Sequence, residues 1–452
     1  MLFSLRVAPD GATDEGLAPL EVRGEDGSQL CRVDLQYSKL EQLPRPSPQA
    51  TDFLLIASAI YALDKLVLRD RSEDRWTREF SLAVPVSDVA IWNRVKGRLE
   101  HCVSFLTGDH WRFEFLELQS ALVRKVRRRH RARRQLLAPP NGDAVCLCSG
   151  GLDSLIGAID WLESHADRKL LLVGHHDAQM GGPFTDQKEL LKKLRTAYSG
   201  RVSSILVRIG HTDESVDKTE ITLRSRSLLF VAIGTFAASA LGLDRSLIIP
   251  ENGTIALNVP LTPSRRGSCS TRTAHPHYLT GLADVLKNVG VMNGFTNPLE
   301  RKTKGEAVSA CLNRSLLAAT ARLSVSCAKR GHRVHWTHRD ARACGRCMPC
   351  IFRRAALHTV GWDDETYGDD MCRGEGGLHN SGGKSGSDVR ACLSFLNARH
   401  SVEGIASMLL ASGSLDPSRL FEGAELIQRA MEEIRTLIRE KGIAEVRRLA
   451  GV

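Results

Sequence analysis

Between about residues 143 and 253 the chain alternates short aliphatic runs with longer segments whose apolar residues recur every three to four positions. AVCLCS, KLLLVGHH, SSILVRIG and SLIIPENG are the aliphatic runs, and SLIGAIDWLESH, KELLKKLRTAY and RSLLFVAIGTFAASALGL lie between them. An aliphatic run without polar alternation predicts a strand covered on both faces, and the intervening spacing predicts helices. Strands separated by helices of this length predict parallel pairing with right-handed crossovers. The pattern therefore predicts an α/β domain built on a doubly wound parallel sheet.

The flanks read differently. Residues 1–139 predict an α+β module: FSLRV, LEVRG, TREFSLAVPV and WRFEFLEL have strand patterns, and DFLLIASAIYALDKLVL has helical spacing. APPNGD marks the boundary. Residues 140–370 form the α/β domain, with IFRRAALHTVG as a late helix. Residues 371–452 begin with the Gly/Ser-rich GEGGLHNSGGKSGSD, expected as a loop, and continue as amphipathic helices in VRACLSFLN, VEGIASMLLAS and LIQRAMEEIRTLIREKGIAEVRRLA.

Composition narrows the class. The 452 residues are 42% hydrophobic and 25% charged, as expected of a globular chain with an aliphatic core. No run approaches the ~20 apolar residues of a membrane span, and the first residues lack a signal-peptide pattern, so a cytoplasmic protein is expected. The net charge of +10 is concentrated at Arg124–Arg134, where RKVRRRHRARR holds eight Lys or Arg. That run is either a phosphate-binding patch for nucleic acid or a solvated linker.

The first aliphatic run ends in SGGLDS, residues 149–154. In a doubly wound fold, ligands bind where a strand's carboxyl end passes through a loop into a helix. Gly150 and Gly151 allow backbone amides to approach an anion, the following helix offers its positive end, and Ser149 and Ser154 add hydroxyls. Asp153 would repel phosphate unless Mg²⁺ lies between, so it is assigned to that ion. The loop lacks the GK[ST] ending of a Walker motif and is not GxGxxG. The plainer alternative is a tight turn whose Asp stabilises the helix dipole.

Of the twelve cysteines, Cys344, Cys347 and Cys350 stand in CGRCMPC, and Cys327 precedes them. Thiolates two residues apart converge on one ion and a distant fourth closes a tetrahedron. Zn²⁺ in a structural site is the first choice and an iron–sulfur cluster the competitor. His332, His335 and His338 lie between the ligands and are expected to be exposed or anion-binding. His175 and His176 end a strand at the ligand edge, as substrate contacts or plain loop; His275 and His277 are equally open. Cys31, Cys102, Cys146 and Cys148 are expected in the core.

SGGLDS resembles the signature of the PP-loop ATP pyrophosphatases, which cleave ATP between its α and β phosphates. Within them, residues 143–370 resemble the QueC family of 7-cyano-7-deazaguanine synthases. RSLLF at 226–230 is similar to that family's RNxxF, with Ser227 in place of Asn. KTKGEAV at 302–308 is similar to its Lys-x-Glu segment, and the four cysteines resemble its zinc site. The resemblance implies ATP binding by Ser149, Gly150, Gly151, Asp153 and Ser154, catalysis by Asp153, Ser154 and Lys304, and substrate contacts from Arg226 and His175. It implies ATP, Mg²⁺ and Zn²⁺ as cofactors.

The N-terminal module makes the chain look most like the QatC proteins, the QueC-like members of the Qat anti-phage system. That implies a small QatB-like partner protein, with an ATPase and a TatD-type nuclease in the same system. The family's substrate loop is replaced by residues 251–279, and the second strand ends in GHHDAQMGG rather than Tyr-Gly-Gln. The expected reaction is adenylation of a 7-deazaguanine carboxylate and transfer to ammonia or a protein amine. The alternatives are a tRNA-modifying PP-loop ATPase and a non-catalytic ATP-binding subunit of a defence complex.

Overall fold

The structure is a computed structural model describing residues 1–7, 18–119, 139–177, 183–212, 219–220, 224–263, 272–377 and 384–452. The basic run at 124–134 lies outside the described residues, as do parts of three segments noted above, 178–182, 264–271 and, in the Gly/Ser-rich stretch, 378–383.

The strands are β1 (Leu2–Val7), β2 (Ala18–Gly24), β3 (Gln29–Leu35), β4 (Glu79–Val86), β5 (His110–Glu117), β6 (Ala144–Leu147), β7 (Leu170–Asp177), β8 (Val202–Thr212), β9 (Leu247–Ile248) and β10 (Phe295–Thr296). They form one sheet in the order β10-β9-β6-β7-β8-β3-β2-β1-β4-β5. The five strands from β10 to β8 are all parallel. The chain steps outward from β6 through β7 to β8, then returns to the other side of β6 for β9. The order reverses between β6 and β9, and their carboxyl ends flank that switch point, where open α/β sheets bind ligands.

The helices used below are α1 (Pro48–Leu66), α2 (Val89–Thr107), α3 (Leu152–Ser164), α4 (Pro183–Ala197), α5 (Arg224–Leu241), α6 (Gly253–Leu257), α7 (Pro276–Asn288), α8 (Lys304–Ser309), α9 (Met348–His358), α10 (Ser387–Ala398), α11 (Val402–Leu410) and α12 (Pro417–Lys441). They cover both sides of the parallel strands. Cys146, Leu170 and Leu172 pack with α3 and α4, whereas Val145, Leu147, Leu171 and Val173 pack with α1 and α5. Alternate residues of one strand thus serve two cores, which is why the strands read as uninterrupted aliphatic runs.

The N-terminal strands extend this sheet. β3 pairs antiparallel with β8, Leu35 opposite Ile209 and Val33 opposite His211. α1 is buried along almost its whole length because it packs against both the sheet and α5. Its polar residues are matched. Asp52 accepts from the Ser87 amide and from Trp92 Nε1 (2.9 Å). Asp64 and Asp109 take the fully buried Arg78 at 2.5 and 2.7 Å, and Asp64 also accepts from the Ser225 hydroxyl of α5 at 2.6 Å.

Two elements escape the reading of the N-terminal pattern. α2 buries Trp92, Val95, Leu99, Cys102, Val103 and Leu106, a helical stripe diluted by the charged residues of its outer face. β3 (QLCRVDL) is a second. The C-terminal helices form their own apolar cluster, in which Leu396, Leu409, Ile427 and Ile434 are buried, and α9 joins it to the rest. In the Gly/Ser-rich segment, Glu375–Gly377 and Lys384–Gly386 form 3-10 turns. No described helix is long and apolar enough to cross a membrane.

Candidate functional site

The SGGLDS loop connects β6 to α3 at the switch point. Gly150 has φ +86°, a left-handed conformation open to glycine at little cost. Gly151 occupies the N-cap of α3 and has no side chain with which to cap it, while Ser326 Oγ, from a distant segment, accepts from the first helical amide, that of Leu152, at 3.3 Å. The next two amides of that turn, those of Asp153 and Ser154, are left as donors suited to an anion. Around it, Ser149 Oγ accepts from the Gly151 amide and Ser154 Oγ donates to the Gly151 carbonyl, 3.3 and 2.9 Å. The two serines are 3.3 Å apart and fix the loop as much as they face a ligand.

Asp153 and Lys304, 151 positions apart in sequence, form a buried ion pair of 2.6 Å between Oδ2 and Nζ. Asn252 Nδ2 donates to the same oxygen at 2.9 Å. Burial opposes ionisation of Asp153, but the Lys304 charge overrides it and holds the carboxyl below its ordinary range. Its other oxygen is buried and receives no donor within hydrogen-bond distance from the described residues. Beside it, burial and then the Asp153 charge push the Glu251 carboxyl well above the usual range. Glu251 and Asn252 follow β9, so they reach Asp153 from the opposite side of the switch point. The Asp153 oxygen that lacks a donor suits a hard divalent cation such as Mg²⁺, and Glu251 beside it would join the donor set on giving up its proton to the ion.

Lys304 is held by its own local structure. Thr303 caps α8 with its side chain on the Glu306 amide, and Glu306 returns a bond to the Thr303 amide, a complete capping box. From α12, Glu433 contacts the Thr303 hydroxyl and accepts from the Gly305 amide at 3.2 Å, while Arg429 pairs with Glu306 at 2.6 Å. The C-terminal helix thereby holds the turn that presents the lysine.

The other expected residues fall nearby. Arg226 Nε donates to His175 Nδ1 at 3.3 Å, and Gln187 Nε2 bridges the carbonyls of Cys148 and His175. Gln187 also packs on Gly150. Next to it, Asp186 binds Arg342 at 2.7 Å and contacts Arg330, adding cations beside the loop. Glu251, Asn252, Gln187, Asp186 and Glu433 were not expected. Only the first two carried a usable signal, since ENG directly follows a strand at the ligand edge.

Cys327, Cys344, Cys347 and Cys350 converge, with all four sulfurs within 4.8 Å of one another. Cys344 and Cys350 are 3.8 Å apart, close to the ~3.8 Å sulfur–sulfur edge of a tetrahedron with Zn–S bonds of ~2.3 Å. Backbone amides of Cys344 and Lys329 point at Cys327 Sγ, and those of Arg346 and Cys347 at Cys344 Sγ, at 3.3–3.4 Å. Gly345 makes this possible with φ +73°; a Cβ there would sit 2.2 Å from the Asp369 carbonyl. The four cysteines can hold a zinc ion.

His335 is exposed, and His338 is exposed and pairs with Glu375 at 3.3 Å. Neither joins the cluster; the side chain of His332 lies outside the described residues. His275 is buried in contact with Phe105, and burial lowers its pKa to about 3. Cys146 and Cys148 are core residues whose thiols burial pushes up, Cys148 to about 11.

No family model, curated protein or solved structure matches this chain.

Proposed function

We propose that the chain is a QueC-like PP-loop ATP pyrophosphatase that adenylates a carboxylic acid, of the 7-deazaguanine class, and passes it to ammonia or to an amine of a small partner protein in a defence system. The observation that carries this reading is the Asp153–Lys304 pair, its aspartate in the first turn of α3 behind two glycines and at the switch point of a parallel sheet. A buried lysine held by an aspartate beside an anion cradle suits charge transfer onto pyrophosphate.

In the proposed reaction a carboxylate oxygen forms a bond to the α-phosphorus of ATP, and the bond from that phosphorus to the bridging oxygen breaks. Pyrophosphate leaves with the electron pair. The first-turn amides of α3 and the Lys304 ammonium stabilise the charge that moves onto it. Asp153 keeps the ammonium aimed, and Asn252 and the α8 capping box keep Asp153 and Lys304 in register. Mg²⁺, held by Asp153 with Glu251, would supply charge neutralisation at the phosphates. Arg226 and His175, joined to the loop through Gln187, would orient the acid. An amine then displaces AMP.

The test is mass spectrometry of the protein with Mg-ATP, 7-carboxy-7-deazaguanine and ammonium, with and without the partner protein. AMP and pyrophosphate, with an amide, a nitrile or a mass increase on the partner, are expected. Lys304→Ala should abolish all of them. Retention of full AMP release by that variant would sink the reading.

A further inference from the structure

A second cleft opens on the far edge of α4. Its volume is 750 Å³, and its walls are α4, β8 and the segment that follows β3. Five cations line it: Lys188, Lys192 and Arg195 from α4, Lys39 from the segment after β3, and Arg208 from β8. The three on α4 stand at positions i, i+4 and i+7, one stripe of the helix. Among the described residues no carboxylate lines the cleft, and Lys39, Lys188 and Lys192 have no acidic partner. Like charges gathered around one concave surface raise its potential and concentrate anions there.

The cleft also holds an aromatic platform. Phe184 stacks on His176 with ring centroids 4.3 Å apart and an angle of 28°, and Lys188 Nζ lies 4.2 Å from the Phe184 centroid. Polar side chains of Gln36, Gln42 and Thr196 complete the lining. A row of cations beside an aromatic ring is the arrangement that binds single-stranded nucleic acid: the exposed Lys188 head moves from the ring to a phosphate, and an unstacked base takes its place on Phe184. A duplex keeps its bases stacked inside and cannot offer one to Phe184. An acidic peptide would use the lysines and leave the aromatic pair without a role.

We propose that this cleft binds single-stranded nucleic acid. The site is separate from the SGGLDS loop, and it does not depend on the adenylation reading. It is nevertheless close by, because Asp186 and Gln187 on another edge of α4 support Gly150.

The experiment is fluorescence anisotropy of the full chain with labelled oligouridine and oligothymidine of about twelve nucleotides, a length within the range one such groove occupies. The titration is repeated over a series of salt concentrations. Replacing Lys188, Lys192 and Arg195 together by Ala is expected to weaken binding more than ~10-fold and to reduce the slope of log K against log salt by about 2, three lost phosphate contacts on a single strand. Phe184→Ala is expected to weaken binding ~5- to 100-fold with the salt slope unchanged. The RNA and DNA arms identify the sugar preferred. Melting temperature and metal content identify folded variants.

Neutralising Arg127–Arg134 serves as the control for the basic run. Loss of all binding there, with the cleft variants binding like the original chain, would overturn the proposal. So would full displacement by polyglutamate together with an unaffected Phe184→Ala, the signature of a surface for acidic protein.

Discussion

The Val325 amide donates to the carbonyl of Gly150 at 2.9 Å, and the neighbouring Ser326 hydroxyl accepts from the Leu152 amide at 3.3 Å. Cys327 is the next residue. The cysteine cluster and the glycine loop are therefore braced by the same three-residue segment. Loss of a zinc ion held by the four cysteines should reach the glycine loop by this route. Cys347→Ser is expected to lose the zinc, lower the melting temperature and weaken nucleotide binding ~10-fold or more, since structural zinc contributes folding energy directly. Metal analysis and ATP titration of the same sample check it; unchanged affinity in a zinc-free protein would refute the coupling.

Lys304→Ala leaves the Asp153 carboxylate buried without its counter-charge. Breaking such a pair costs about 3–5 kcal/mol, whereas replacing both partners with apolar groups of similar size costs less. Denaturant unfolding of Lys304→Met, Asp153→Leu and the double variant should therefore be non-additive, with the double variant more stable than the sum of the single losses. Additive losses would mean that the two groups do not act as a pair.

Glu433 offers a pH test of the α12 contact. Burial pushes its carboxyl up to about 7, and Glu306 adds to this while the Thr303 and Gly305 bonds and Lys304 oppose it. A carboxyl whose pKa is higher folded than unfolded favours folding at low pH. Its contribution is complete below the unfolded value of about 4.5 and is lost as pH rises through about 7. The span corresponds to as much as ~3 kcal/mol. Glu433→Gln should raise the melting temperature at pH ~8 and change it little near pH ~4.5, the two ends of that window. An equal shift at both would show that the carboxyl does not titrate in it.

At the sheet's other half, Arg78→Met removes the cation that Asp64 and Asp109 share. Two buried carboxylates then lie together without it, with Arg69 left on Asp109 at 2.8 Å. A loss of about 3–5 kcal/mol is expected. Because Asp64 also holds Ser225, the start of α5 should loosen with it. Hydrogen exchange at residues 224–228 reads that directly, and protection equal to the original chain would count against the link.

The parallel sheet was legible because strands covered on both faces must be aliphatic throughout, as Val145–Leu147 and Leu170–Val173 are. The place of the glycine loop between a strand and a helix, and the convergence of the four cysteines, were legible because each is set by short spacing. Glu433 and Gln187 were not, since each acts through backbone groups of a distant segment and a lone acid or amide on a helix carries no spacing signal. α2 hid for a different reason. Its stripe is intact, but Arg94, Lys96, Arg98 and Glu100 interrupt the apolar run that the eye follows.

The antiparallel register of β3 on β8 also dictates an order of events during synthesis. β3 leaves the ribosome long before β8, so the N-terminal strands must wait with one margin open until residue 212 has been made. An open margin is a template for pairing with another nascent chain. Slow or paused translation between the two strands would lengthen that exposure, and yield, rather than activity, would be the first property to suffer.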